Sequence, residues 1–182
     1  MKQPTTAIYA GTFDPPTMGH LDVVRRATHI FERVIWLVVS TPGGAKTPLF
    51  APEDRVELAR AAAADLPNVV VDSFSGLLVD YARSAGAVAL VKGLRAVSDF
   101  ESEFSQAHMN EKLAGIESVF FMTSPEYSFV SSSLIKEVAR LGGDVNGMVP
   151  PAVERALRQR FRGPGRAGRP DVPSQTQGAV GR

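Results

Sequence analysis

The 182-residue sequence predicts an α/β fold built on a doubly wound, five-stranded parallel sheet. Two observations carry that expectation. Five short apolar runs rich in β-branched residues alternate with helical patterns over connections of ordinary length, an order that right-handed crossovers wind into one parallel sheet. Every polar or glycine-rich stretch that stands out, namely 11–20, 41–47, 74–78, 92–95 and 124–133, follows one of those runs. Ligands of such sheets bind beyond the carboxyl ends of the strands, so five loops are expected to converge on one edge.

Thr6–Ala10 reads as the first strand. The turn Gly11-Thr12-Phe13-Asp14-Pro15-Pro16-Thr17-Met18-Gly19-His20 follows it and empties into a helix on which Leu21, Val24, Ala27, Thr28 and Phe31 recur at helical spacing. Val34–Val39 is continuously apolar, as suits a strand covered on both faces. Pro52-Glu53-Asp54 opens a second helix with acidic residues in its first turn. Its packing face is Val56, Leu58, Ala59, Ala62 and Ala63, and it is expected to end near Leu66-Pro67-Asn68. A third strand at Val69–Val71, a third helix at Leu77–Ala85 and a fourth strand at Val88–Val91 come next. Helix 99–113 has Phe100, Phe104, Ala107 and His108 at packing intervals, with Glu103, Gln106 and Asn110 on another face. Ser118–Met122 is the fifth strand, and Val149-Pro150-Pro151 starts a last helix with Val153, Ala156, Leu157 and Phe161 on one side. From Gly163 to Arg182 there are five Gly and three Pro and almost nothing apolar. One domain over residues 1–162 and a disordered tail over 163–182 are therefore expected.

With 44% apolar and 21% charged residues the composition is that of an ordinary globular domain. The formal charge is +1, but the tail holds Arg166, Arg169 and Arg182 against Asp171, which leaves −1 on residues 1–162. Such a balance argues against a general nucleic-acid surface, so any basic residues that matter must be local. The absence of cysteine excludes disulfides, zinc–thiolate sites and thiol catalysis. No apolar run is long enough to span a bilayer, and a cytoplasmic protein is the simplest expectation.

The turn at 11–20 has the chemistry of a nucleotide phosphate site. A helix N-terminus offers unpaired N–H groups and a positive dipole end; Gly11 and Gly19 leave the backbone open, and Thr12 and His20 supply side-chain donors. Ser131, Ser132 and Ser133 stand at a second helix start, where capping alone needs one serine and the others make a phosphate cradle. Lys92-Gly93-Leu94-Arg95 puts two cations around a glycine at the end of a buried strand, where a charge needs solvent or an anion. Lys46, between Pro42-Gly43-Gly44 and Pro48, is a point charge on a loop. Gly163-Pro164-Gly165-Arg166-Ala167-Gly168 satisfies GxGxxG spacing, yet no strand precedes it and it is no dinucleotide fingerprint. Gly43-Gly44-Ala45-Lys46-Thr47 lacks the spacing of a Walker element, and neither HExxH nor GxSxG occurs.

Taken in order, Gly11–His20, Lys92–Arg95 and Tyr127–Glu137 resemble the nucleotidyltransferase superfamily with its T/HxGH element, in the version found in the phosphopantetheine adenylyltransferase family. The similarity spans residues 6–162, with a Rossmann-like fold implied. What the resemblance implies is adenylyl transfer from ATP to 4′-phosphopantetheine, giving dephospho-CoA and pyrophosphate. It implies catalytic roles for His20, Lys46 and Thr12. ATP would be held by Thr12, Phe13, His20, Gly93, Leu94, Arg95 and Glu103, and by Tyr127, Ser128, Phe129, Val130, Ser131, Ser132 and Ser133. The pantetheine substrate would be held by Thr12, Lys46, Leu78 and Lys92, the last of which is Arg in many members and serves here as a point charge. Magnesium would be carried by the triphosphate, and a homohexamer inhibited by CoA is implied as well. The alternatives are another small-molecule nucleotidyltransferase, such as one acting on nicotinate mononucleotide, and a non-catalytic ATP-binding sensor.

Overall fold

The computed structural model describes residues 5–40 and 47–161. Five strands form one sheet: β1 (Thr6–Gly11), β2 (Arg33–Val39), β3 (Val69–Phe74), β4 (Ala89–Leu94) and β5 (Glu117–Met122). Their order is β3-β2-β1-β4-β5, and every neighbouring pair is parallel. The chain winds outward through β2 and β3 on one side of β1, then returns through β4 and β5 on the other. The carboxyl ends of β1 and β4 therefore flank the point where the winding reverses, and a crevice opens there.

Helices α1 (Met18–Ala27) and α2 (Pro52–Ala62) cover one face of the sheet, and α3 (Leu78–Ser84) covers the other. The alternation of side chains along each strand explains the two layers. Tyr9, Val34, Trp36, Val38 and Val91 pack with Leu21, Val24, Ala27, Val56 and Ala59 on the first face. Ile8, Ile35, Leu37 and Leu90 pack with Val79 and Ala82 on the second. Beyond α4 (Val97–Ala114), two further helices, α5 (Ser132–Arg140) and α6 (Pro151–Phe161), close a separate cluster. There Phe50 and Leu58 meet Val130, Ile135, Val145, Val149, Val153 and Leu157, which fastens the last third of the chain to α2. No helix of the described residues is long and apolar enough to cross a membrane.

The strand ends differ from the sequence expectation. β3 runs on through Asp72, Ser73 and Phe74 because these pair with Leu37, Val38 and Val39. β4 likewise includes Lys92, Gly93 and Leu94, which pair with Phe120, Phe121 and Met122. Ladder hydrogen bonds to a neighbour outweigh the low strand preference of Asp, Gly and Lys. The second helix stops at Ala62, short of Leu66-Pro67-Asn68, and a turn closed by Leu66 N–H on the Ala63 carbonyl fills the gap. The aromatic stripe of α4 is not core: Phe100 and Phe104 are 41% and 45% exposed. Their rings stack on each other at 5.3 Å, and Phe104 meets the edge of His108 at 4.3 Å, so packing spacing here arranges a ladder along the surface. The tail from 163 to 182 lies outside the described residues.

Because Leu157 is fully buried between α2 and α5, Leu157→Ala should lower the stability by about 2–5 kcal/mol, through lost transfer energy plus a residual cavity. Urea unfolding checks this, the midpoint falling with an unchanged slope.

Candidate active site

A cavity of about 1190 Å³ opens at the carboxyl edge of the sheet, between the ends of β1 and β4 and under the start of α5. Of the residues singled out from the sequence, Thr12, Phe13, His20, Lys92, Gly93, Arg95, Glu103, Ser131, Ser132 and Ser133 line it. Leu94 is buried in the sheet, and Tyr127, Ser128, Phe129 and Val130 lie outside the cavity wall. Leu78 packs at the start of α3 against the second face of the sheet and is also outside it. Lys46 lies outside the described residues.

The turn after β1 is shaped by its aromatic residue. Phe13 has φ of 46°, a region that bulky side chains adopt only when the surroundings impose it. Its ring folds back over Gly11, where a Cβ would lie 3.0 Å from the ring, so glycine lets the ring approach without being pushed aside. The same ring stands edge-on to Trp36 and to His20, with centroids 5.5 and 5.0 Å apart. The Asp14–Pro15 peptide is cis.

His20 is the third residue of α1 and completes a capping box with Thr17. The Thr17 N–H donates to His20 Nδ1 at 3.0 Å, and the His20 N–H donates to the Thr17 hydroxyl at 3.4 Å. A ring nitrogen that accepts from a backbone N–H carries no proton, so the proton of the neutral ring sits on Nε2. Burial, aided by the positive charge of Arg95, pushes the His20 pKa down to about 4. The imidazole is therefore a neutral, fixed donor at neutral pH.

At the two helix starts some of the expected donors are already engaged within the chain. At the N-terminus of α1 the Met18 N–H donates to the Met148 carbonyl at 2.9 Å and the His20 N–H to Thr17, while the Gly19 N–H has no partner among the described residues. Of the three serine hydroxyls at the start of α5, two are engaged, and the Ser132 and Ser133 N–H groups have no partner among the described residues. Ser131 caps α5 by accepting from the Leu134 N–H at 3.2 Å, and Ser132 donates to the Pro15 carbonyl at 2.8 Å. Only the Ser133 hydroxyl lacks a partner among the described residues. Hydroxyls next to unpaired carbonyls bond them, and tertiary structure decides which carbonyls are near.

Three of the cations at the cavity already have carboxylates. Lys92 Nζ lies 2.9 Å from Glu103 and donates to Gln106 at 3.0 Å. Arg95 donates to Asp99 at 3.1 Å, and Lys136 donates to Asp14 at 2.6 Å. Asp14, 4% exposed, also accepts from the amides of Leu49 and Phe50 at 2.9 and 3.0 Å. Sequence reasoning did not assign Asp14, Lys136 or the buried Arg55, which donates to the Thr12 carbonyl. A signal for Arg55 existed. It falls on the apolar stripe of α2 with Ala59 and Ala62, where an arginine is out of character.

All residues of the cavity wall except Arg160 fall within 8–138, the span that matches the model of the cytidylyltransferase-like family, which places the chain among the nucleotidyltransferases. The phosphopantetheine adenylyltransferase of Moorella thermoacetica is 57% identical over 156 residues, covering 85% of this chain and 96% of its own. That of Thermomicrobium roseum is 57% identical over 158 residues, covering 86% and 95%. The chain belongs to the phosphopantetheine adenylyltransferase family. A solved lipopolysaccharide core biosynthesis protein from Thermoplasma volcanium GSS1 overlaps at a TM-score of 0.49 and 17% identity, over 67% of this chain and 98% of that one.

The His20 ring should titrate near pH 4, against 6.5 for a free imidazole, with its Nε2–H tautomer retained down to that pH. Since the folded value lies below the unfolded one, the stability His20 contributes is complete above pH 6.5 and fades as pH falls towards 4. Nitrogen-15 NMR of the imidazole reads both the tautomer and the midpoint; a midpoint near 6.5 would contradict the buried donor.

Proposed function

We propose that this protein transfers the adenylyl group of ATP to 4′-phosphopantetheine, releasing pyrophosphate and forming dephospho-CoA. The acceptor follows from the relatives, which carry that activity in their names at 57% identity. One observation in the site supports the chemistry above the rest: His20 is held neutral, its Nε2–H turned into donor service at a cavity wide enough for a nucleotide and a second substrate.

The terminal phosphate of the acceptor is an anion near neutral pH and needs no base to activate it. One of its oxygens attacks the α-phosphorus in line, the new oxygen–phosphorus bond forming as the bond to the β-phosphate oxygen breaks, and pyrophosphate leaves with that electron pair. Charge grows on the α-phosphate oxygens in the transition state, where a fixed neutral donor stabilises it without an ionisation cost. His20 takes that role, with the Thr12 hydroxyl beside it. Lys46 is proposed as a further charge on the same oxygens from its position in the sequence motif. Lys92 and Arg95 orient phosphates, exchanging their present carboxylate partners for phosphate oxygens.

Magnesium enters with the triphosphate as part of the substrate. Among the described residues no group of three or more His, Asp or Glu side chains could hold a metal ion. Asp14, Asp99 and Glu103 are each engaged by a cation of the chain.

Pyrophosphate release should require both ATP and 4′-phosphopantetheine, with the nucleotidyl product identified by mass. His20→Ala should lower kcat by about 10²–10³-fold, the range for losing one transition-state donor, while ATP binding measured by calorimetry persists. Turnover with nicotinate mononucleotide alone would replace the acceptor. Binding of ATP without turnover on either acceptor would make the protein a sensor.

A further inference from the structure

Arg55 on α2 is a buried charge at the cavity to which the reaction above gives no work. Its side chain is 1% exposed, and no carboxylate forms an ion pair with it among the described residues. Asp14, the carboxylate that acts on it most strongly through space, is committed to Lys136 and two amides. The guanidinium instead spends its donors on neutral oxygens. Nη1 donates to the Thr12 carbonyl at 2.6 Å and to the Val39 carbonyl at 3.3 Å, Nη2 to the Ser40 hydroxyl at 3.2 Å, and Nε is buried without a partner. A guanidinium buried without a counter-ion is unfavourable, and an apolar side chain of similar size fills such space without that penalty. The reason for arginine lies in what its fork holds.

The fork joins the end of β2 to the turn after β1. A trans peptide points its N–H opposite to its C=O, so a Thr12 carbonyl fixed on Arg55 turns the Phe13 N–H away from the guanidinium. That N–H has no partner among the described residues, and Phe13 belongs to the cavity wall. The peptide is also where the chain enters the strained φ of 46° at Phe13, a conformation that persists only when its neighbours over-determine it. The bond from Arg55 on α2 holds the Thr12 side of that peptide.

We propose that Arg55 is a positioning residue for adenylyl transfer: its buried fork ties the Thr12 carbonyl to the end of β2 and so sets the direction of the Phe13 N–H at the cavity. The role in transfer rests on the reaction proposed above, whereas the orienting bond does not, and two measurements separate them. Wild-type turnover of ATP with 4′-phosphopantetheine tests the reaction alone. The Phe13 amide resonance, compared between wild type and Arg55→Lys without substrate, tests the bond alone. Lysine keeps the charge but cannot span the three acceptors. Arg55→Lys should shift that resonance and lower kcat by about 10–100-fold, the scale of a small misplacement. The KM for each substrate should stay within about threefold, which separates lost orientation from lost ground-state binding. Arg55→Met should lower kcat at least as far, and Arg55→Lys carries the comparison if the methionine variant does not fold. An unmoved Phe13 amide in Arg55→Lys would overturn the proposal, as would a kcat in both variants within about twofold of wild type.

Discussion

A parallel sheet sends the carboxyl ends of all its strands the same way, and the rest of this molecule depends on that constraint. β1 and β4 are neighbours although five elements of chain separate them in sequence, so the turn after β1 and the end of β4 must share one crevice. Everything that lines the cavity reaches it by leaving this edge or by crossing over it. α5 belongs to the second group, arriving from the end of β5 and delivering Ser131–Ser133 and Lys136 above the turn.

Within the crevice the governing rule is satisfaction of buried polar groups. Asp14 is the centre of that network, taking two amides of the segment leading into α2 and the ammonium of Lys136 from α5. The capping box engages the Thr17 and His20 amides and fixes the tautomer of His20. A charged imidazole could not accept from Thr17, so the capping geometry favours the same neutral ring that burial and Arg95 favour. Lys92 and Arg95 are held by acidic residues of α4, which offsets their charge at the cavity wall.

The strands were legible in the sequence because a strand buried on both faces must be apolar and the β-branched residues of β2 and β4 satisfy that without ambiguity. Their far ends were not, since Lys92 and Gly93 pair only because β5 lies alongside. The turn at 11–20 announced itself through glycine and histidine at a strand–helix junction. The division of labour among the three serines was hidden, because whether a hydroxyl meets a phosphate or a carbonyl depends on which loop lies over it; Ser132 meets Pro15 across 117 residues. Local periodicity also failed on α4, where the 3.6-residue spacing of Phe100 and Phe104 reports only that they share a side of the helix. It says nothing of what that side faces.

The ties onto the turn after β1 have a consequence for how the molecule comes into being. Asp14 is held by Lys136 and Pro15 by Ser132, partners 122 and 117 residues further on, and Met18 is held by Met148. Contacts of such long sequence separation close late, after shorter loops have formed. A nascent chain emerging from the ribosome can therefore pair β1 with β2 and lay α1 upon them while the turn after β1 still lacks its clasps. A turn that leaves the ribosome before its partners is thus among the last parts of the domain to reach its final arrangement.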